Sequence, residues 1–232
     1  KQKSITPIVL LWVVLSGGPL LMSAYFSLSG NGFQLWSHYS GDLLMSTYIA
    51  LCVAIVLCLV LISSFFLHLA KTNRVKKLAV VLDFVWILVA CLPASLVAST
   101  VGSAWHALNV EFLERSPVVL ILAQVAQLGF VGSLAGRWAA SCPKLKVLQQ
   151  LDSTTSVWLL LTATKPRVLQ AICVTFAIAI AMSFGEVALT SQLAPPSTNH
   201  PIAVALLNAM HYQRSQIVTS ALFVMIAIVT IG

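Results

Sequence analysis

Glu186 raises the first chemical question in this chain. It stands in SFGEVALTSQLAPP, residues 183–196, inside a long apolar run with no basic residue close in sequence. A charged side chain at the centre of a membrane helix costs about 2.5–3.5 kcal/mol on insertion scales, and less toward the interface. From Val168 to Glu186 a helix rises roughly 27 Å, which places the carboxylate nearer the far face than the bilayer centre. Two uses fit: a hydrogen bond to a neighbouring helix or the following loop, or lining the outer part of a translocation path. Direct metal ligation is poor chemistry for one carboxylate without patterned His or Asp companions, and no metal site is expected.

Other polar residues interrupt the apolar runs. Gln124 and Gln127 are spaced i, i+3, so they share one helical face, suited to interhelical hydrogen bonding or to path lining. Asp83 follows Lys76 and Lys77, and a local charge pair is expected there ahead of a proton relay. His200 and His211 read as loop and interface residues, not as a metal pair. The cysteines (Cys52, Cys58, Cys91, Cys142 and Cys173) form no Cys-x-x-Cys pair and read as small apolar packing residues.

No phosphate-cradling G-x-x-x-x-G-K-[ST] loop occurs, so ATP hydrolysis is not expected of this chain. No Ser/His/Asp or Cys/His arrangement can be read either. The chain is therefore not expected to be an enzyme or to carry a cofactor.

The elements that must position these residues are membrane helices. Of 232 residues, 59% are hydrophobic and 8% charged, whereas soluble domains carry about 25% charged residues. A crossing helix needs ~20 mostly apolar residues, and six segments qualify: about Ile5–Leu28, Leu43–Leu67, Leu78–Thr100, Pro117–Gly136, Val168–Leu193 and Ser215–Gly232. Their runs are apolar on every face, against the period-two alternation of a membrane β-barrel. The expected fold is thus an all-α, multi-pass bundle embedded in the lipid bilayer.

Basic residues set the topology. Lys1, Lys3, Lys71, Arg74, Lys76, Lys77, Arg137, Lys144, Lys146, Lys165 and Arg167 fall on one side of six crossings; Arg115 and Arg214 fall on the other, with Asp42, Glu111 and Glu114. Both termini are then cytoplasmic. Positive cytoplasmic loops account for the net charge of +7, and no nucleic-acid partner is needed. The chain starts without Met and ends still apolar at Gly232, so residues 1–232 are expected to be a single membrane domain, a fragment or one half of a longer polypeptide. Gly129, Gly132 and Gly136 share a face of the fourth helix, where helix packing is expected and a gating hinge is the alternative.

The connector 141–167, SCPKLKVLQQLDSTTSVWLLLTATKPR, is too long for a tight turn. Leu145, Leu148 and Leu151 recur at helical spacing, Asp152-Ser153-Thr154-Thr155-Ser156 supplies turn and N-cap residues, and Lys165-Pro166 is expected to stop a second short helix before the fifth span. Two short helices around a polar corner fit either an interfacial linker or a knob presented to a cytoplasmic partner.

Six helices with an extended cytoplasmic segment before the fifth resemble the permease subunit of a type I ABC importer. In that family the segment carries E-A-A-x3-G-x9-I-x-L-P and docks into the ATP-hydrolysing subunit. With Pro166 on the terminal proline, the glycine falls at Ser153, the triplet at Val147-Leu148-Gln149, and the I and L positions at Ala163 and Lys165; only the proline matches. A more specific resemblance lies over 183–212, which is similar to the iron(III)- and thiamine-type branch. Gly185, Glu186, Thr190, Leu193, Ala194, Pro195 and Pro196 match a G-E-x-x-x-T-x-x-L-A-P-P-like run, and Ala203, Val204, Asn208, His211 and Tyr212 an A-V-x-x-x-N-x-x-H-Y-like pattern.

The resemblance implies a permease subunit in the inner (cytoplasmic) membrane, importing a small solute such as iron(III) or thiamine. Its implied partners are a separate ABC ATPase, a periplasmic or extracellular solute-binding protein and a second permease half. Leu151, Asp152, Ser153, Thr154, Thr155 and Pro166 are then expected to couple to the ATPase, and Glu186, Gln124 and Gln127 to line the path. The alternatives are a structural or regulatory membrane protein of the same fold that no longer transports, or an ion-coupled secondary carrier.

Overall fold

The computed structural model describes residues 32–70, 72–108, 116–142, 157–194 and 200–211. Among these residues the protein is helical, with no strand. The helices are α1 (Gly32–Leu69), α2 (Asn73–Ala90), α3 (Ala94–Leu108), α4 (Val118–Ala140), α5 (Val157–Gly185), α6 (Ala188–Leu193) and α7 (Ile202–His211). Three stretches are long and apolar enough to cross a membrane, Ser40–Leu69, Val118–Ala140 and Thr164–Gly185, and a fourth counts if the bent pair α2–α3 is one span. The expected spans Ile5–Leu28 and Ser215–Gly232 lie outside the described residues, as do Leu151, Asp152, Ser153, Thr154 and Thr155 of the connector.

Two expectations need correction, and a third takes sharper form. The segment Leu78–Thr100, whose sequence carries Pro93 as a helix breaker in ACLPAS, bends there: α2 and α3 meet at 107° across Cys91-Leu92-Pro93. Pro93 has no N–H and biases its predecessor away from helical geometry, while its carbonyl accepts from the Leu96 and Val97 amides and starts α3. The fifth span is likewise interrupted, because α5 ends at Gly185 and α6 begins only at Ala188. In the other direction, Pro166 does not stop a helix; α5 runs through it without interruption from Val157. The missing N–H removes one intrahelical bond, a local loss that membrane helices tolerate when neighbours resatisfy the freed groups.

Helix pairings fix the directions. The Arg167 guanidinium stacks on Trp138 while Ser183 bonds Gln124, so α5 runs antiparallel to α4. Gly132 abuts Leu57 and Gly136 abuts Leu61, so α1 runs parallel to α4. Asp83 meets Ser133 and Trp86 meets Gly129, so α2 is antiparallel to both. One end of the bundle therefore gathers Arg74, Lys76, Lys77, Arg137, Lys165 and Arg167, and the other holds Asp42 and Glu186.

In lipid, helix association rests on close packing and interhelical polar contacts more than on water exclusion. The glycine face of α4 provides the close packing. A Cβ at Gly132 would lie 2.5 Å from the Leu57 carbonyl oxygen, and one at Gly136 2.8 Å from Ser64 Cβ and 2.9 Å from the Phe65 nitrogen. At Gly129 the added carbon would collide with the Trp86 ring. Around this seam Val53, Leu57, Leu120, Ala123 and Ala179 are buried in one cluster, and Leu61, Phe65, Ala139 and Ala171 in a second. Leu59, Leu82, Phe84 and Leu169 stay exposed, as side chains turned to lipid or to a further helix do.

Candidate functional site: two polar layers in the bundle

The acid-bearing end of the bundle is built around the break in the fifth span. Beyond Gly185 the chain leaves the helix, and Glu186 Oε1 accepts from the amides of Ala188 and Leu189, each at 3.1 Å. Thr190 Oγ1 donates to the Glu186 carbonyl. A carboxylate before a helix takes up orphan amides and sits at the positive end of the helix dipole. Glu186 therefore caps α6. Its carboxylate is bonded within its own chain segment, and no cation meets it among the described residues.

Below this cap, Ser183 on α5 donates to Gln124 Oε1 on α4 at 2.6 Å, and both side chains are buried. They line a cavity of about 10 Å³ together with Ser46, Thr190 and Pro201, scarcely enough for one water. Gln127, one turn along α4, keeps a buried Oε1 without a hydrogen-bond partner. The two glutamines therefore share a face as their spacing requires, but only Gln124 makes an interhelical bond among the described residues.

Two residues that sequence reasoning passed over complete this layer. Asp42 Oδ1 accepts from the His200 amide at 2.9 Å, and Ser46 Oγ accepts from the Ile202 amide at 2.7 Å. Spaced i, i+4 on α1, they tie the start of α7 to the same end of the bundle. His200 and His211 are exposed; among the described residues no group of three or more His, Cys, Asp or Glu is placed to hold a metal ion.

The second layer lies toward the basic end and centres on Asp83, which is only 3% exposed. Its partners correct the sequence expectation. In place of Lys76 and Lys77, which point outward on the first turns of α2, Asp83 meets residues of α1 and α4. His68 Nε2 lies 2.9 Å from Oδ2, Ser133 Oγ donates to Oδ1, and Arg137 Nη1 is 3.7 Å from Oδ2. Ser64 Oγ donates to the Ser133 carbonyl at 2.9 Å. A buried carboxylate persists only where it is paired and hydrogen-bonded; α1 and α4 supply those partners here. The signal was present as two i, i+4 pairs, Ser64/His68 and Ser133/Arg137, each placing two polar groups on one helix face.

This cluster does not form a nucleophilic triad. Ser133 gives its hydroxyl hydrogen to Asp83 and makes no hydrogen bond to His68 among the described residues, so the hydroxyl lacks the imidazole base in hydrogen-bond contact that nucleophilic activation requires. Asp83 and Ser133 also border a cleft of about 330 Å³ between α1, α2 and α4, whose other walls include Val56, Leu59, Leu82 and Trp86.

No protein-family model matches the chain, and no curated protein matches it at the level taken to indicate relationship.

Proposed function

We propose that this multi-pass helical membrane protein is the membrane-spanning subunit, or half-subunit, of a binding-protein-dependent importer driven by a separate ATPase. The observation that carries the reading is the block 183–212. Its resemblance to the iron(III)- and thiamine-type permeases coincides with one physical unit: a span broken after Gly185, the Glu186-capped α6, and α7 tethered to Asp42 and Ser46. In this reading the unit is the outer mouth, the Gln124–Ser183 contact and Gln127 belong to the path, and the narrow cavity beside them corresponds to a closed state. Alternating access would separate α4 from α5 at that bond.

Leu151, Asp152, Ser153, Thr154 and Thr155, followed by Pro166, are the proposed ATPase-coupling element, a small solute such as iron(III) or thiamine is the proposed cargo, and the inner membrane is the proposed site. A second reading, a permease-like protein that no longer transports, is favoured by one observation: Val147-Leu148-Gln149 and Ser153 depart from the coupling motif. Replacing Asp152 and Ser153 with bulky residues distinguishes the two. Uptake uncoupled from ATP hydrolysis supports the importer; uptake unchanged removes the coupling assignment.

A further inference from the structure

We propose that Arg167 and Trp138 form a binding site for the phosphate of an anionic membrane lipid. The depth is right for a headgroup. Arg167 stands near the start of the apolar stretch Thr164–Gly185, and Trp138 near the end of the antiparallel Val118–Ala140. Tryptophans gather at this interfacial level because the ring is amphipathic, and Trp138 is 44% exposed.

The guanidinium of Arg167 lies 4.4 Å from the centre of the Trp138 ring. With its central carbon over the ring, the guanidinium keeps its terminal N–H groups as donors, the fork that grips a phosphate bidentately. Among the described residues no carboxylate pairs with Arg167, and its Nε is buried without a hydrogen-bond partner. The ring therefore orients a charged donor set that has no counter-charge among the described residues.

The surroundings supply more positive charge. Lys165 is exposed, and the Arg137 side chain is 56% exposed, with only a 3.7 Å approach to Asp83. Asp83 is the one carboxylate at this end among the described residues, and His68, Ser133 and Arg137 already occupy it. Basic pockets between helix ends on the cytoplasmic side attract anionic headgroups, each Lys or Arg contributing about 1 kcal/mol near the surface. The lipid is favoured over a free anion because the donor set opens at the bilayer interface between two membrane helices.

The test uses the whole chain in nanodiscs of phosphatidylcholine with increasing phosphatidylglycerol, reading thermal stability and, by native mass spectrometry, retained phosphatidylglycerol. Wild type gains stability as phosphatidylglycerol rises. Arg167→Ala weakens retention about fivefold or more, Arg167→Lys and Trp138→Phe fall between, and Arg74→Ala, which removes an exposed charge elsewhere at this end, has little effect. Trp138→Phe keeps Arg167 and an aromatic face, so it reports on the site even if Arg167→Ala fails to fold. Three results overturn the proposal: equal retention by Trp138→Phe, Arg167→Ala and wild type, an equal loss in Arg74→Ala, or inorganic phosphate stabilising the protein in pure phosphatidylcholine as well as phosphatidylglycerol does.

Discussion

Gly136→Ala sets the packing argument against the intrinsic preference of the helix. In an unobstructed helix interior, Ala is favoured over Gly by about 1 kcal/mol. At Gly136, however, the new methyl would collide with the Leu61 carbonyl oxygen and lie 2.8 Å from Ser64 Cβ and 2.9 Å from the Phe65 nitrogen. Two of these three are backbone atoms of α1, which cannot step aside as a side-chain tip can. Overpacking a close-packed site costs about 1–3 kcal/mol; a clash with fixed backbone belongs in the upper half of that range, about 2–3 kcal/mol, and subtracting the gain of about 1 kcal/mol leaves a net loss of about 1–2 kcal/mol. That is a factor of about 5–30 in the folded-to-unfolded ratio. Denaturant titration in mild detergent, followed by helix content, measures it. Gly185→Ala is the internal control: no atom lies within 4 Å of the added carbon, so its stability should be unchanged or raised by up to about 1 kcal/mol. Equal stability of Gly136→Ala and wild type, or equal damage from both variants, refutes the α1–α4 seam.

Asp83→Leu should destabilise by about 1–3 kcal/mol, because it leaves the buried Ser133 hydroxyl and His68 Nε2 without their acceptor while Arg137 stays solvated; Asp83→Asn, which keeps an acceptor for Ser133, should lose less in the same titration. Glu186→Gln retains a carbonyl oxygen able to cap α6 and should be near wild type in stability, whereas Glu186→Ala should lose about 0.5–2 kcal/mol. If Glu186→Gln folds normally but stops uptake, its charge serves the path as well as the cap. A double-mutant cycle on Gln124→Leu and Ser183→Ala should return a coupling of about 0.6 kcal/mol and no more than about 1.7; zero coupling would remove that bond from the account.

Apolar run length reveals the spans at α1, α4 and α5 because crossing helices need a fixed number of apolar residues and little else. The glycine spacing on α4 likewise points to its packing face, since only close backbones make three small residues on one face useful. Pro93 is visible as a breaker, but the 107° bend it accompanies depends on how α3 packs on α6, which local sequence does not encode. Pro166 misleads in the opposite sense: a proline is a weak stop when the residues on both sides favour helix and neighbours hold the chain.

The polar layers are half legible. Glu186 stands out because a lone carboxylate in an apolar run is costly, yet its role as a cap depends on the break after Gly185. Sequence proximity pairs Asp83 with Lys76 and Lys77, although its partners come from 15 and 50 residues away. Pairing across helices is set by register, and one sequence does not contain that register until the glycine seam is placed. Asp42 with Ser46, Ser64 with His68, and Ser133 with Arg137 show the signal available: polar residues four apart on an apolar helix share a face and need a partner there.

The most direct test of the importer reading is gentle detergent purification of the native-length protein, with identification of what accompanies it. An ATP-hydrolysing subunit that co-purifies with wild type and is lost when Asp152–Thr155 is replaced is the predicted result. Protein recovered without any ATPase, under conditions that keep related complexes together, contradicts the importer account.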